Sequence, residues 1–291
     1  MFRGSIPALV TPFRDDLFDE SAYRSFVGWQ VEQGSHGLVP VGTTGESATL
    51  SPAEHARVIR ACVEEAAGRV PVLAGCGSNS TAVAIDLVKT AADAGADAAL
   101  LVPPYYNRPN QEGITAHFEA IANATSLPLI LYNVPARTVT DISVETMTKL
   151  AKLPAIKGVK DATGNLARVS AQRLGCGADF VQLSGNDDMA LGFNAMGGVG
   201  CVSVTANIAP RLCAEFQEAT LSGDWPRALE LQDRLYPLHA ALFTDASPGP
   251  VKYALNKLRP DFPATLRLPM TPPSEASRRA VDAALAHAGL L

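Results

Sequence analysis

The chain is short of charge, of metal-holding side chains and of long apolar runs. Its 291 residues carry 24 Lys and Arg against 29 Asp and Glu, a net charge of −5, and charged side chains make up 18% of the total, below the roughly 25% of ordinary soluble domains. No window supplies the basic stripe that phosphate neutralisation demands, so a nucleic-acid partner is not expected. The five cysteines (Cys62, Cys76, Cys176, Cys201, Cys213) are odd in number and form no CxxC pair, which favours reduced, buried thiols over a disulfide framework. The five histidines form no HExxH or other close pair, so no metal site is expected. No run of about 18 apolar residues could span a bilayer, and MFRGSIPALVTPFRDD has no positively charged leader followed by a long apolar core. A cytoplasmic protein without a membrane partner is the expectation. An apolar share of 47% excludes disorder as a global description.

What the chain does have is rhythm. Short β-prone runs recur as SIPALV from Ser5, GLVPV from Gly37, VPVLAG from Val70, AALLV from Ala98, PLILY from Pro128, AIKGVK from Ala155, FVQLS from Phe180 and VGCVSV from Val199. Segments of helical periodicity, such as SPAEHARVIRACVEEAAG, lie between them, the signature of repeated βα units around a parallel sheet. Eight runs before about residue 205 match an α/β fold of the (β/α)8 TIM-barrel type better than an open sheet. No GxGxxG follows the first run, and Gly197, Gly198 and Gly200 read as a tight turn at the base of the last strand. The remainder reads as helical, giving a barrel over residues 1–224 and a small C-terminal helical appendage over 225–291. Ser51-Pro52-Ala53-Glu54 reads as a capping box with proline at the first helical position, which leaves His55 in a first turn with a surface role as its default.

Barrel enzymes carry their chemistry on the loops after the strands. Those ends read Gly42-Thr43-Thr44-Gly45-Glu46-Ser47, Pro103-Pro104-Tyr105-Tyr106-Asn107, Tyr132-Asn133-Val134-Pro135-Ala136-Arg137, Lys160-Asp161-Ala162-Thr163, Ser184-Gly185-Asn186 and Ser203-Val204-Thr205. With a strand period of two, Ile156, Gly158 and Lys160 share one face; if that face is the interior, Lys160 points into the mouth and Gly158 leaves room for its stem. Such a lysine is either a structural cation or an amine nucleophile able to form a Schiff base with a ketone. Asp161 should point away, leaving Lys160 without an acidic partner, and burial disfavours the ammonium form. Tyr132 is the candidate proton carrier, with Thr43 and Tyr106 as its relay, while Tyr105 reads as a cap of aromatic surface. Thr43 and Thr44, between glycines, suit a small carboxylate, and Arg137 suits a second one.

The strings VGTTGESATL, PPYYNRPNQEG, LYNVPART, VKDATGNL and GVGCVSVTAN resemble the dihydrodipicolinate synthase family (4-hydroxy-tetrahydrodipicolinate synthase), within the pyruvate-dependent class I aldolase superfamily that also holds N-acetylneuraminate lyase. The similarity runs from GSIPALVTPF to LRLPMTP and AHAGLL. It implies a Schiff base between Lys160 and pyruvate, addition to aspartate semialdehyde, and no cofactor. It implies Tyr132, Thr43 and Tyr106 as the proton relay, Thr44 with Thr43 on the pyruvate carboxylate, Arg137 on the semialdehyde carboxylate, and Gly185 and the Val202 backbone lining the pyruvate pocket. It further implies that Tyr106 reaches into a neighbouring subunit's site within a homotetramer, a dimer of dimers. Ser47, Ala48, His55, Asn79 and Tyr105 match a lysine-effector pocket of some members. Val83 stands where that pocket usually has glutamate, and Pro52 replaces a polar residue, so feedback inhibition by lysine is expected to be weak or absent. A sister aldolase, of the N-acetylneuraminate lyase or keto-deoxy sugar acid type, and a non-catalytic small-acid-binding barrel are the competing readings. Arg137 disfavours the first, and the presence of Lys160, Tyr132, Thr43 and Tyr106 together disfavours the second.

Overall fold

The computed structural model describes residues 2–291. Its strands are β1 (Gly4–Pro7), β2 (Phe13–Arg14), β3 (Leu17–Phe18), β4 (Leu73–Gly75), β5 (Ala98–Leu101), β6 (Leu129–Asn133), β7 (Ile156–Asp161), β8 (Val181–Ser184) and β9 (Gly200–Ser203). Seven form a parallel sheet in the order β1-β9-β8-β7-β6-β5-β4. The run from Gly37 closes it: Val39 bridges to Ala8 and Leu38 to Val72, both parallel. Pro40 has no N–H to donate, which keeps this eighth member too short for a regular ladder. All eight runs therefore lie in one closed TIM barrel. β2 and β3 form a small hairpin that the run pattern does not reveal. Its turn residues Asp15 and Asp16 both adopt left-handed backbone (φ 51° and 62°), the geometry of a tight hairpin turn.

Alternation along the strands sorts side chains into two cores. Ile6, Ala8, Val39, Leu73, Ala98, Leu100, Ile130, Leu183 and Val202 fill the barrel. Leu38, Val72, Ala99, Leu101, Leu129, Leu131, Val159 and Cys201 face outward against the helices. Ile156 packs in this outer layer, contrary to the strict two-residue alternation. The β6–β7 register shifts between Leu129 and Ile130, so that Leu129 pairs with Ile156 but Ile130 with Gly158, and the extra residue flips the face.

Helix starts are fixed by side-chain caps at Asp19, Ser51, Ser80, Asn110, Ser143, Asp224 and Ser274. Ser51 and Glu54 form the full reciprocal box, with Pro52 at the first turn. Residue 224, the last of the expected barrel segment, is the N-cap of helix Trp225–Ala241, which packs on helix Pro210–Ser222 and on the final helix Glu275–His287. Helix Gly249–Leu258 lies between them in sequence and also packs on the final helix.

Candidate active site

Lys160 sits at the C-terminal end of β7, only 7% exposed, directly paired in register with Tyr132 of β6. Its Nζ lies 3.9 Å from the centre of the Tyr132 ring. Among the described residues neither side chain makes a hydrogen bond or ion pair, so the amine has no carboxylate to neutralise it. The room for its stem comes from a different glycine than the sequence suggests. A Cβ on Gly158 would stand 2.3 Å from the Val181 carbonyl, so Gly158 serves the close approach of β8. A Cβ on Gly185 would stand 3.1 Å from Lys160 Cε, so Gly185 is the residue that leaves the lysine its place. The Gly185 N–H donates to the Asp161 carbonyl at 2.7 Å, locking that approach. Val202 belongs to the apolar layer shared with Tyr132 and Leu183.

Thr44 is buried, whereas Thr43 and Arg137 are exposed. Arg137 lies in the short helix Pro135–Thr138, immediately after β6. Tyr105 is exposed, and Tyr106 is 90% exposed in a left-handed conformation (φ 70°) that a bulky side chain rarely takes. The structure thus brings Lys160, Tyr132, Gly185 and Val202 together. Among the described residues no hydrogen bond joins Thr43, Tyr106 or Arg137 to Tyr132.

The five residues matched to an effector pocket divide. Ala48 and Tyr105 are exposed and Ser47 and Asn79 partly so, the Asn79 carbonyl accepting from the Asn107 side chain at 2.9 Å. His55, by contrast, is buried, with Nε2 2.9 Å from the Gly75 carbonyl, which corrects its expected surface role. Burial lowers the His55 pKa against the opposing pull of the Gly75 carbonyl.

Sequence reasoning missed the outward side of the same strand ends. Asp161, which follows Lys160, accepts from Thr163 N–H (2.8 Å), Thr163 Oγ1 (2.6 Å) and Gln172 Nε2 (2.7 Å). Asn133, which follows Tyr132, donates to Asp141 at 2.7 Å and accepts from the Ile142 N–H. Arg168 joins the two sets: its Nη1 is 3.2 Å from Asp141, its Nη2 2.6 Å from the Ile142 carbonyl, and its Nε 3.5 Å from Asp161. Asp187, after β8, accepts from Ser203 Oγ (2.5 Å) and from the N–H groups of Val204 and Thr205, which ties the β8 and β9 ends together. The polarity of Asp161 and Asp187 just past apolar runs was the available signal.

The cysteines are free. Burial pushes the Cys62 thiol up to about 12 and raises Cys76, Cys201 and Cys213 as well, so none of these four offers a thiolate near neutrality. Among the described residues no three His, Cys, Asp or Glu side chains converge to hold a metal, and no helix is long and apolar enough to cross a membrane.

The model of the dihydrodipicolinate synthetase family matches residues 1–288. The 4-hydroxy-tetrahydrodipicolinate synthase of Rhizorhabdus wittichii is 69% identical over 290 residues, covering all of both chains. That of Zymomonas mobilis is 60% identical over 291 residues, again with 100% of each chain covered. The solved structure of the chloride-inhibited dihydrodipicolinate synthase from Acinetobacter baumannii, complexed with pyruvate, is 44% identical and superimposes with a TM-score of 0.97, with 100% of both chains covered. The chain belongs to the dihydrodipicolinate synthetase family.

Proposed function

We propose that the protein is a lyase that condenses pyruvate with L-aspartate 4-semialdehyde to 4-hydroxy-tetrahydrodipicolinate, the first committed step of the diaminopimelate route to lysine. The observation that carries this reading is a buried lysine, free of any carboxylate and stacked on a tyrosine, in a chain 69% identical to a synthase of that name. The Lys160 amine attacks the pyruvate ketone and water leaves, forming the Schiff base. Loss of a methyl proton gives the enamine, whose carbon adds to the semialdehyde's aldehyde. The semialdehyde's own amine then attacks the imine carbon, closes the ring and returns Lys160 to the free amine.

Tyr132 moves the protons, relayed by Thr43 and Tyr106. Thr43 and Thr44 hold the pyruvate carboxylate, Arg137 the semialdehyde carboxylate, and Gly185 with the Val202 backbone lines the pocket. The exposure and left-handed backbone of Tyr106 support its insertion into a partner's site, since nothing in its own chain holds the ring. The minimal active unit in this reading is a dimer, assembled into a cytoplasmic homotetramer. Residues 1–224 carry the catalytic barrel, and 225–291 form the helical region behind it. The five effector-matching residues are a vestige: His55 is engaged by Gly75, and the half-exposed Val83 offers no charge to a lysine amine.

Turnover decides the matter. With pyruvate and aspartate semialdehyde, both are consumed one for one, and added lysine inhibits weakly or not at all. Consumption of pyruvate only with a sugar-type aldehyde would replace the reading with a sister aldolase.

A further inference from the structure

Three residues that the proposed chemistry leaves without a role meet in one place. Glu46 ends the GTTGE loop, Lys252 lies in helix Gly249–Leu258, and Arg267 lies in the LRLP segment before the last helix. The Glu46 and Lys252 side chains, 2% and 0% exposed, form an ion pair. The Arg267 N–H donates to Glu46 Oε2 at 3.1 Å, and Lys252 Nζ donates to the Thr265 carbonyl at 2.7 Å. The Lys252 ammonium and the Arg267 guanidinium both lie over the Phe13 ring, 4.4 and 4.1 Å from its centre. Arg267 then reaches the Thr49 carbonyl at 3.1 Å, Glu54 at 2.6 Å and Asp16 at 3.1 Å.

The loop held in this way is backbone-strained. Val41 and Glu46, which bracket Thr43 and Thr44, both take left-handed conformations (φ 49° and 55°) that β-branched and long side chains avoid. The loop is also squeezed: a Cβ on Gly75 would stand 2.3 Å from the Val41 carbonyl, and a Cβ on Gly45 2.9 Å from the Leu9 carbonyl. Thr11 Oγ1 fixes the Gly45 carbonyl at 2.7 Å. Such a conformation persists only where its surroundings over-determine it. A buried ion pair contributes little net stability compared with apolar packing, so its value here is geometric.

We infer that Glu46, Lys252 and Arg267 form a clamp through which the C-terminal region sets the shape of the Thr43–Thr44 loop and hence the affinity for the pyruvate carboxylate. The inference rests on the proposed role of that loop. The three are positioning residues and touch no substrate. Burial outweighs Glu46 and holds Lys252 down at about 8, so the cation of the clamp loses its charge in mildly alkaline solution. The charged groups that face Lys252 are Glu46 and Arg267, with Glu54 and Asp16 beyond Arg267.

The test is the pyruvate concentration that half-saturates borohydride trapping of the full-length protein, followed from pH 6.5 to 9.5. In the unsubstituted protein it rises at least about tenfold above pH 8, the effect of losing one hydrogen bond to a charged group. That rise runs against the general trend for imine formation, in which alkali frees the attacking amine. In the double variant E46Q/K252M it is high at every pH and shows no inflection near 8. A flat or falling profile in the unsubstituted protein overturns the clamp, whether or not the variant folds. So does a folded double variant with unchanged half-saturation. Failure of the unsubstituted protein to trap pyruvate at all would instead overturn the proposed function.

Discussion

Two faces of the same two strand ends are built on opposite rules. Tyr132 and Lys160 pair across β6 and β7 on the inside of the barrel, and their side-chain polar atoms are left without partners. One residue further on, Asn133 and Asp161 pair on the outside and are held by hydrogen bonds, joined through Asp141 and Arg168, with Gln172 donating to Asp161. In the proposed function the amine and the phenol keep their lone pairs and protons for substrate, so they do not also anchor themselves. Their chain neighbours do it for them, because a strand that is pinned at Asp161 has no freedom left at Lys160.

The sharpest way to break this comparison is to damage each face separately. Tyr132→Phe removes a hydroxyl that has no partner in the chain. Turnover should fall by about a hundredfold or more, the usual worth of a general acid or base. Stability in urea should change by no more than about 0.5 kcal/mol. A large loss of stability would show that the phenol is structural. Arg168→Ala should do the reverse. Its side chain is 14% exposed and its loss strips a hydrogen bond from the Ile142 carbonyl and a countercharge from Asp161 and Asp141. Urea denaturation should report a loss of about 1–3 kcal/mol. Turnover at a temperature where the variant is folded should fall less than for Tyr132→Phe, by about tenfold, since positioning is loosened and not removed. Equal stability of Arg168→Ala and the unsubstituted protein would mean that the outer network anchors nothing.

The barrel was legible because its signal is local and repeated. Eight apolar runs each carry a two-residue alternation, and the helix between Ser51 and Ala66 announces its start in four consecutive residues. Lys160 was legible too, although strict alternation would also put Ile156 on its face of the strand. The bulge opposite Leu129 flips Ile156 outward, and the alternation from Gly158 to Lys160 survives intact. The role of Gly158 was misread because alternation says which way a residue points and not what comes close to it. His55 was misread for the same reason: it is buried, and its partner, the Gly75 carbonyl, lies 20 residues away. The Arg168 bridge and the Glu46–Arg267 contact join positions 27 and 221 residues apart, and no periodicity in a single sequence encodes such meetings. The exposed Tyr106 marks the other limit, because in the proposed function the surface it meets belongs to another copy of the chain.

The division between a free inner face and an anchored outer one turns on Lys160 being the nucleophile. Incubation with pyruvate and borohydride, followed by digestion and mass mapping, tests this directly. The account predicts a reduced pyruvate adduct on Lys160 and on no other lysine, absent from Lys160→Ala. An adduct on another lysine, such as Lys157 on the same strand, or no adduct at all, would contradict it.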